Sequence, residues 1–205
     1  ARASSAGALK EAARAAEEAL ALEASAERAH PYRVMGEDGN VVMRYPLQEG
    51  ILVNTLTLDE LDGMVKHYDE PYSHATSADD FDSIPSQAKW VFVGAYKEGS
   101  PMIALGAFGQ RDEVLRRTER NQPHEHNGAF WYMTDGHSVG FAPTPEVGKK
   151  GWLVDASNEH DPARLSWGLH GLGGYRAGTQ LGLGCWTKML YYTSRHAEST
   201  NGHSC

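Results

Sequence analysis

From residue 89 onward, short strand-like segments alternate with glycine-containing turns, and this pattern constrains the fold more than any other. Segments 90–96 and 102–108 flank the turn KEGSP, and segments 129–133 and 137–141 flank a Thr-Asp-Gly turn. About eight such strands at short spacing are typical of antiparallel sandwiches and barrels. The helix-strand alternation that a parallel sheet needs is missing. We therefore predict a mainly β protein, an antiparallel β-sandwich of jelly-roll or similar type.

Residues 1–30 form a separate compositional block. Thirteen of them are alanine and none is proline, and the others include leucine, glutamate and arginine. Because these are strong helix formers, we predict an N-terminal helical arm with its helix at about 5–29, ahead of a β-domain at 31–205. Its apolar face, formed by Leu9, Ala13, Ala16 and Leu20 in the predicted helix, is mostly alanine along the helix, which favours close docking. We expect residues 5–29 to bind a protein partner or a second copy of the chain.

The segment between the arm and the β-rich half contains short strand-like stretches and one helical pattern. Thr57 and Glu60 have the spacing of a capping box, and apolar residues follow at helical intervals. This predicts one short additional helix at 58–68. Residues 69–88 are polar and acidic, which predicts a loop.

The charge of the chain excludes some classes of function. There are 19 Lys and Arg against 27 Asp and Glu, a net charge of -8, which argues against nucleic-acid binding. Eight acidic residues lie between positions 59 and 82 against one lysine, so this stretch is either a solvated face or a docking face for a basic partner. No apolar run is long enough for a membrane span. An alanine at position 1 suggests a processed chain in an organelle or a secreted setting, and whether Cys185 and Cys205 are bonded is left open.

The segment GHSVG, residues 136–140, matches the G-x-S-x-G pattern of a hydrolase nucleophile elbow. In that hypothesis Ser138 is the nucleophile, His170 is the base, and Asp155 or Asp161 orients the base. An elbow needs a helix directly after the serine. The prolines and glycines that follow are unfavourable for a helix, so a serine hydrolase is an alternative and a hairpin turn the simpler interpretation.

A metal site is a second hypothesis. His124 and His126 alternate on a predicted strand, so both imidazoles would point to one face and could bind a metal ion. His137, His160 or His170 would complete the site through folding. The alternative is a polar connection between strands.

The acidic segment also contains part of a calcium-binding pattern. Asp79, Asp80 and Asp82 are closely spaced, as in a calcium loop. The glycine and the terminal glutamate of such a loop are missing. A solvated acidic surface is therefore the alternative to a calcium site.

Large aromatic residues are concentrated in the β-rich half. Trp131, Tyr175 and Trp186 are candidate ligand-binding residues, because exposed tryptophan and tyrosine can stack on sugar rings or anchor a protein partner. The alternative is a two-layer core that covers them.

No catalytic set is complete in the sequence, and no cofactor is predicted. The glycine-rich segment 168–184 has neither dinucleotide-binding nor Walker spacing. We predict a non-catalytic β-sandwich recognition or assembly module that docks through its helical arm onto a larger protein complex. Two alternatives stay open: a lectin-like carbohydrate-binding domain that uses exposed Trp and Tyr, and a serine hydrolase with Ser138 as nucleophile.

Overall fold

The computed structural model describes residues 32–35, 41–44, 49–148, 154–169, 173–181 and 184–193. The chain divides into two compact units, residues 1–48 and 49–205. In the first unit, strand β1 (Tyr32–Met35) pairs antiparallel with β2 (Val41–Arg44). The helix predicted at 5–29 lies outside the described residues. The domain boundary predicted after residue 30 stays a prediction.

The second unit is built from two antiparallel sheets. The strands of the first sheet are β3 (Ile51–Thr57), β4 (Val65–Pro71), β5 (Trp90–Lys97), β6 (Met102–Gln110) and β13 (Trp186–Tyr192), in the spatial order β3-β6-β5-β13-β4. The strands of the second sheet are β7 (His124–His126), β8 (Ala129–Thr134), β9 (Ser138–Ala142), β10 (Leu165–Gly168), β11 (Gly174–Ala177) and β12 (Gln180–Leu181), and each pairs with the next along the chain. The predicted mainly β, sandwich-like class is confirmed.

One hydrophobic core joins the inner faces of the two sheets. Alternate residues of a strand point to the same face, and Val91, Val93 and Ala95 on β5 are all fully buried in this core. Trp131 and Trp167 enter the same core from β8 and β10. The opposite face of β5 is covered as well, because Phe92 on that face is fully buried.

The outer face of the six-stranded sheet is also covered. Val147 and Val154, from the described parts of the chain between β9 and β10, form a small apolar cluster there with Tyr132 and Ala142. Residues 154–164, which lead from this cluster into β10, are referred to as the crossing segment.

The helix predicted at 58–68 is wrong beyond its first turn. Leu58–Leu61 form a 3-10 helix with the predicted capping box, in which the Thr57 N–H donates to Glu60 Oε2 at 2.7 Å. Gly63 then adopts a φ of +93°, and strand β4 begins at Val65. Pairing of β4 with β13 overrides the local helical spacing. The predicted loop at 69–88 contains the end of β4 and a short helix, Asp79–Asp82.

Candidate functional site

A cleft of about 390 Å³ lies between the two sheets of the second unit. Strands β3, β5, β6 and β13 form one wall, and the turn between β11 and β12 forms the other together with Pro162. Leu105 and Ala177, which belong to the core, lie at its base. Its volume is within the range of about 300 to 1,000 Å³ typical of ligand sites. The lining residues are Val53, Asn54, Lys97, Ala104, Leu105, Pro162, Ala177, Gly178, Thr179, Gln180 and Trp186.

Irregular strand pairing shapes the first wall. On β6, Ala104 is an extra residue that pairs with no partner on β5, and on β3 the register skips from Val53 to Leu56. Asn54 lies in this skip and has a φ of +52°, a conformation that asparagine tolerates better than most residues. Because bulges bend a strand and redirect its side chains, they place the exposed Asn54 on the cleft wall instead of in a regular ladder.

Trp186 and Lys97 lie side by side on the first wall. They are directly paired across β13 and β5, so their side chains share one face of the sheet. Trp186 is half-buried and packs against the core, whereas Lys97 is exposed. The wall therefore combines a fixed aromatic surface with a cation at its edge.

The second wall is a tight turn that carries two exposed polar side chains, Thr179 and Gln180. The turn requires glycine at position 178. Gly178 has a φ of +59°, and a Cβ atom there would be 2.9 Å from the carbonyl oxygen of Pro162. The N–H of Gly178 also donates to the carbonyl of Arg164 at 2.7 Å. The turn is thus held close to Pro162 and Arg164 of the crossing segment.

Arg176 fixes this turn from inside the protein. Its buried guanidinium donates to the carbonyl of Gly178 at 2.9 Å, to that of Ser157 at 2.8 Å and to that of Asn158 at 3.1 Å. A single side chain therefore connects the cleft turn to the crossing segment. Loss of Arg176 would leave several buried carbonyl groups without donors, which is costly in a protein interior.

Asp155 supplies the negative charge for this region. Its Oδ1 accepts from Arg164 Nη1 at 2.7 Å and lies 4.0 Å from Arg176 Nη1. Burial raises the pKa of the Asp155 carboxyl to about 6, against the opposing attraction of Arg164 and Arg176. Tyr132 adds a weaker hydrogen bond to the carboxylate at 3.4 Å. This arrangement anchors the second wall of the cleft.

The three predicted ligand-binding aromatics lie in different environments. Trp186 lines the cleft. Trp131 is buried in the core, where its Nε1 donates to the carbonyl of His126 at 3.1 Å, so it offers no surface to a ligand. Tyr175 is half-buried on β11, and its hydroxyl has no hydrogen-bond partner among the described residues.

The described members of the predicted hydrolase set, Ser138, Asp155 and Asp161, make no hydrogen bond to one another. Ser138 is fully buried in β9, and its hydroxyl has no partner within the described residues. Gly136, with a φ of +70°, forms the turn between β8 and β9, so the GHSVG segment leads into a strand and not into a helix. Asp155 is bonded to Arg164 as described above, and Asp161 bonds the same guanidinium at 3.0 Å. His170 lies outside the described residues.

The predicted metal-binding histidines have separate neighbours. His124 Nε2 lies 3.3 Å from a carboxylate oxygen of Glu113, and burial lowers the pKa of His124 below its usual value. His126 Nε2 accepts from a backbone N–H at 3.0 Å, and His137 bonds the carbonyl of Asp135. In the part of the chain that the structure describes, no three His, Cys, Asp or Glu residues are arranged to hold a metal ion.

Two of the three predicted calcium-binding aspartates have contacts of their own. Asp80 Oδ2 accepts from the backbone N–H of Ser77 at 2.7 Å, and Asp82 Oδ2 accepts from Arg117 at 2.7 Å. Asp79 is exposed. Docking of a basic partner at residues 59–82 stays a prediction.

Asn54, Lys97 and Gln180 line the cleft but were not predicted from the sequence. A weak signal exists for Asn54, because a polar residue interrupts the otherwise aliphatic start of β3. Lys97 and Gln180 lie beside turns, where polar residues are common, so their pattern carries no functional signal.

Comparisons with known proteins give no relative from which a function could be transferred. No protein-family model, curated protein or solved structure matches this chain. Within the described residues, the helices are too short or too polar to cross a membrane.

Proposed function

We propose that this protein is a non-catalytic recognition module that binds a carbohydrate in the cleft between its two sheets. One observation carries the proposal: Trp186, held against the core, lines a cleft whose polar side chains come from two opposing walls. A lectin-like domain of this kind needs no catalytic residues.

The chemistry of the lining supports a sugar. The side chains of Asn54, Gln180 and Thr179 each offer both hydrogen-bond donors and acceptors. Neighbouring sugar hydroxyls need both kinds of partner. The indole of Trp186 supplies an apolar surface for the carbon-bound face of a sugar ring, and its packing limits the entropy lost on binding.

A glycan array probed with the labelled full chain tests this proposal. We expect retention of one related set of glycans, and loss of this retention in Trp186→Ala. Because Trp186 also packs on the core, the exposed residue Gln180 provides a second variant, Gln180→Ala. We expect this variant to remain folded and to lose about fivefold in affinity, the value of one hydrogen bond.

Trp90 provides a matched control, since it is also a half-buried tryptophan at a strand end but lies outside the cleft. Trp90→Ala should retain the glycans. Unchanged retention by both Trp186→Ala and Gln180→Ala would contradict the proposal, as would an array with no retained glycan.

We also propose that the N-terminal segment acts in assembly, through a protein partner or a second copy of the chain. Supporting this is the division of the chain into separate units, residues 1–48 and 49–205. Light scattering of the full chain at several concentrations should detect an oligomer. The double variant Ala13→Glu/Ala16→Glu keeps helix-forming residues but charges the predicted apolar face, so it should shift the mass to a monomer. An equal mass for the wild type and the double variant would contradict self-assembly through this face. A monomeric wild type would also contradict self-assembly, and docking onto another protein would then be the remaining form of the proposal.

A further inference from the structure

We infer that the cleft selects a carbohydrate that carries a carboxylate group, with Lys97 recognising the charge. This inference rests on the proposed function and adds the class of ligand. It concerns a sugar acid such as a uronic-acid unit within an oligosaccharide.

The charge of the cleft lining differs from that of the whole chain. The whole chain has a net charge of -8, yet the described residues that line the cleft include one lysine and no carboxylate. Asp161 precedes the lining residue Pro162 in the sequence, but its carboxylate is bonded to Arg164 at 3.0 Å, which offsets its charge. The cleft is therefore a locally positive site on an acidic protein, and this arrangement favours an anionic ligand.

Lys97 lies next to the aromatic surface of the cleft. Lys97 is the register partner of Trp186 on the adjacent strand, and directly paired residues have Cβ atoms about 5 Å apart. A sugar ring stacked on the indole would therefore have its substituents near the ammonium group. Among the described residues no carboxylate pairs with Lys97, so the ammonium does not have to release a protein partner before it binds a ligand.

The asymmetry of the cleft carries the third step. On the opposite wall, the exposed polar side chains are the neutral Thr179 and Gln180. A ligand with one charged edge and otherwise neutral hydroxyls matches this distribution. A ligand with many charges would leave most of them without a partner.

Calorimetric titration with two probes tests the inference. The probes are a trisaccharide with a single galacturonic acid unit and the methyl ester of the same trisaccharide, which has the same rings without the charge. At low salt and pH 7, we expect the acid to bind about fivefold more tightly than the ester, the upper range for an exposed ion pair. The preference should decrease at 1 M NaCl, where the screening length is about 3 Å.

Three variants locate the preference. Lys97→Gln should bind both probes equally, and Lys97→Arg should restore the preference for the acid. Lys89→Gln removes an exposed lysine outside the cleft and should behave like the wild type. Because Lys97 and Lys89 are both exposed, we expect all three variants to fold.

The outcomes separate this inference from the proposed function. Equal affinity of the wild type for acid and ester, or a preference that persists in Lys97→Gln, overturns the inference and leaves carbohydrate binding intact. Failure of both probes overturns it as well. In that case the glycan array decides the proposed function independently, because retained neutral glycans would still support it.

Discussion

Lys188 places an ammonium group inside the sandwich. Its side chain is fully buried, and its Nζ donates to the carbonyl oxygen of His74 at 2.5 Å and to the hydroxyl of Thr76. The ring of Tyr68 lies beneath it, with its centroid 5.5 Å from Nζ. Among the described residues no carboxylate forms an ion pair with it. Such a charge is stabilised by hydrogen bonds but not by a counter-ion, so keeping it charged lowers the stability of the fold.

The buried Lys188 amine makes the free energy of unfolding depend on pH. Burial lowers the pKa of Lys188 to about 8, although Asp80 and Glu70 attract the charge and oppose the change. In the unfolded chain the amine has a pKa of about 10.4. Between these two values the unfolded chain binds more protons than the folded chain, so the free energy of unfolding rises with pH. At about 1.4 kcal/mol for each pH unit, the whole window contributes up to about 3 kcal/mol.

The variant Lys188→Met removes this titration and nearly preserves the volume of the side chain. Urea unfolding followed by tryptophan fluorescence would give the free energy of unfolding of both proteins at pH 7, 8, 9 and 10. Other groups titrate in both proteins and cancel in the difference. We expect the wild type to gain about 2 to 3 kcal/mol relative to Lys188→Met between pH 7 and pH 10.

An exposed lysine provides the control for this experiment. The difference between the wild type and Lys89→Met should stay constant over the same pH range, because the Lys89 ammonium is exposed to water in the fold. A constant difference for Lys188→Met as well would refute the reasoning. It would mean that the Lys188 amine reaches water or a counter-ion in the folded protein.

Three further predictions concern the second unit. Gly140→Ala should lower the free energy of unfolding in urea by about 3 kcal/mol, because the new Cβ would be 1.9 Å from the carbonyl oxygen of Leu165. Gly184→Ala is the control, since its Cβ meets nothing within 4 Å. An effect of Gly140→Ala no larger than that of the control would contradict the prediction. Arg176→Met should lower the free energy of unfolding by about 3–5 kcal/mol in the same assay. A decrease of less than about 1 kcal/mol would show that the guanidinium does not anchor the turn. Asn54→Gly introduces a residue that tolerates the φ of +52°, so the thermal unfolding midpoint should not change. Calorimetry should detect about fivefold weaker glycan binding, because one hydrogen-bonding side chain is lost. An unchanged affinity would mean that Asn54 does not contact the glycan.

Much of the fold could be predicted because its signals are local. The hairpin predicted at 90–108 is present as β5 and β6, and the predicted Thr-Asp-Gly turn joins β8 to β9 with Gly136 at a φ of +70°. The prediction of a helix at 58–68 was wrong because the interaction that decides this segment is not local. Helical spacing and a capping box are local signals, but the pairing of β4 with β13 is formed by residues distant in sequence. The local pattern was therefore correct for one turn, Leu58–Leu61, and was overridden beyond it.

The cleft could not be predicted, because its geometry depends on where strand pairing becomes irregular. Tryptophan at position 186 was a candidate from its residue type alone, but nothing local in the sequence places Lys97 beside it. That neighbour relation exists because β13 enters the sheet between β5 and β4, in one particular register. A shift of that register by one residue would turn Trp186 to the opposite face and remove the aromatic surface from the cleft. The proposed binding site therefore depends on the register of β13, and we expect a substitution that disturbs this register to abolish glycan binding even when it lies outside the cleft.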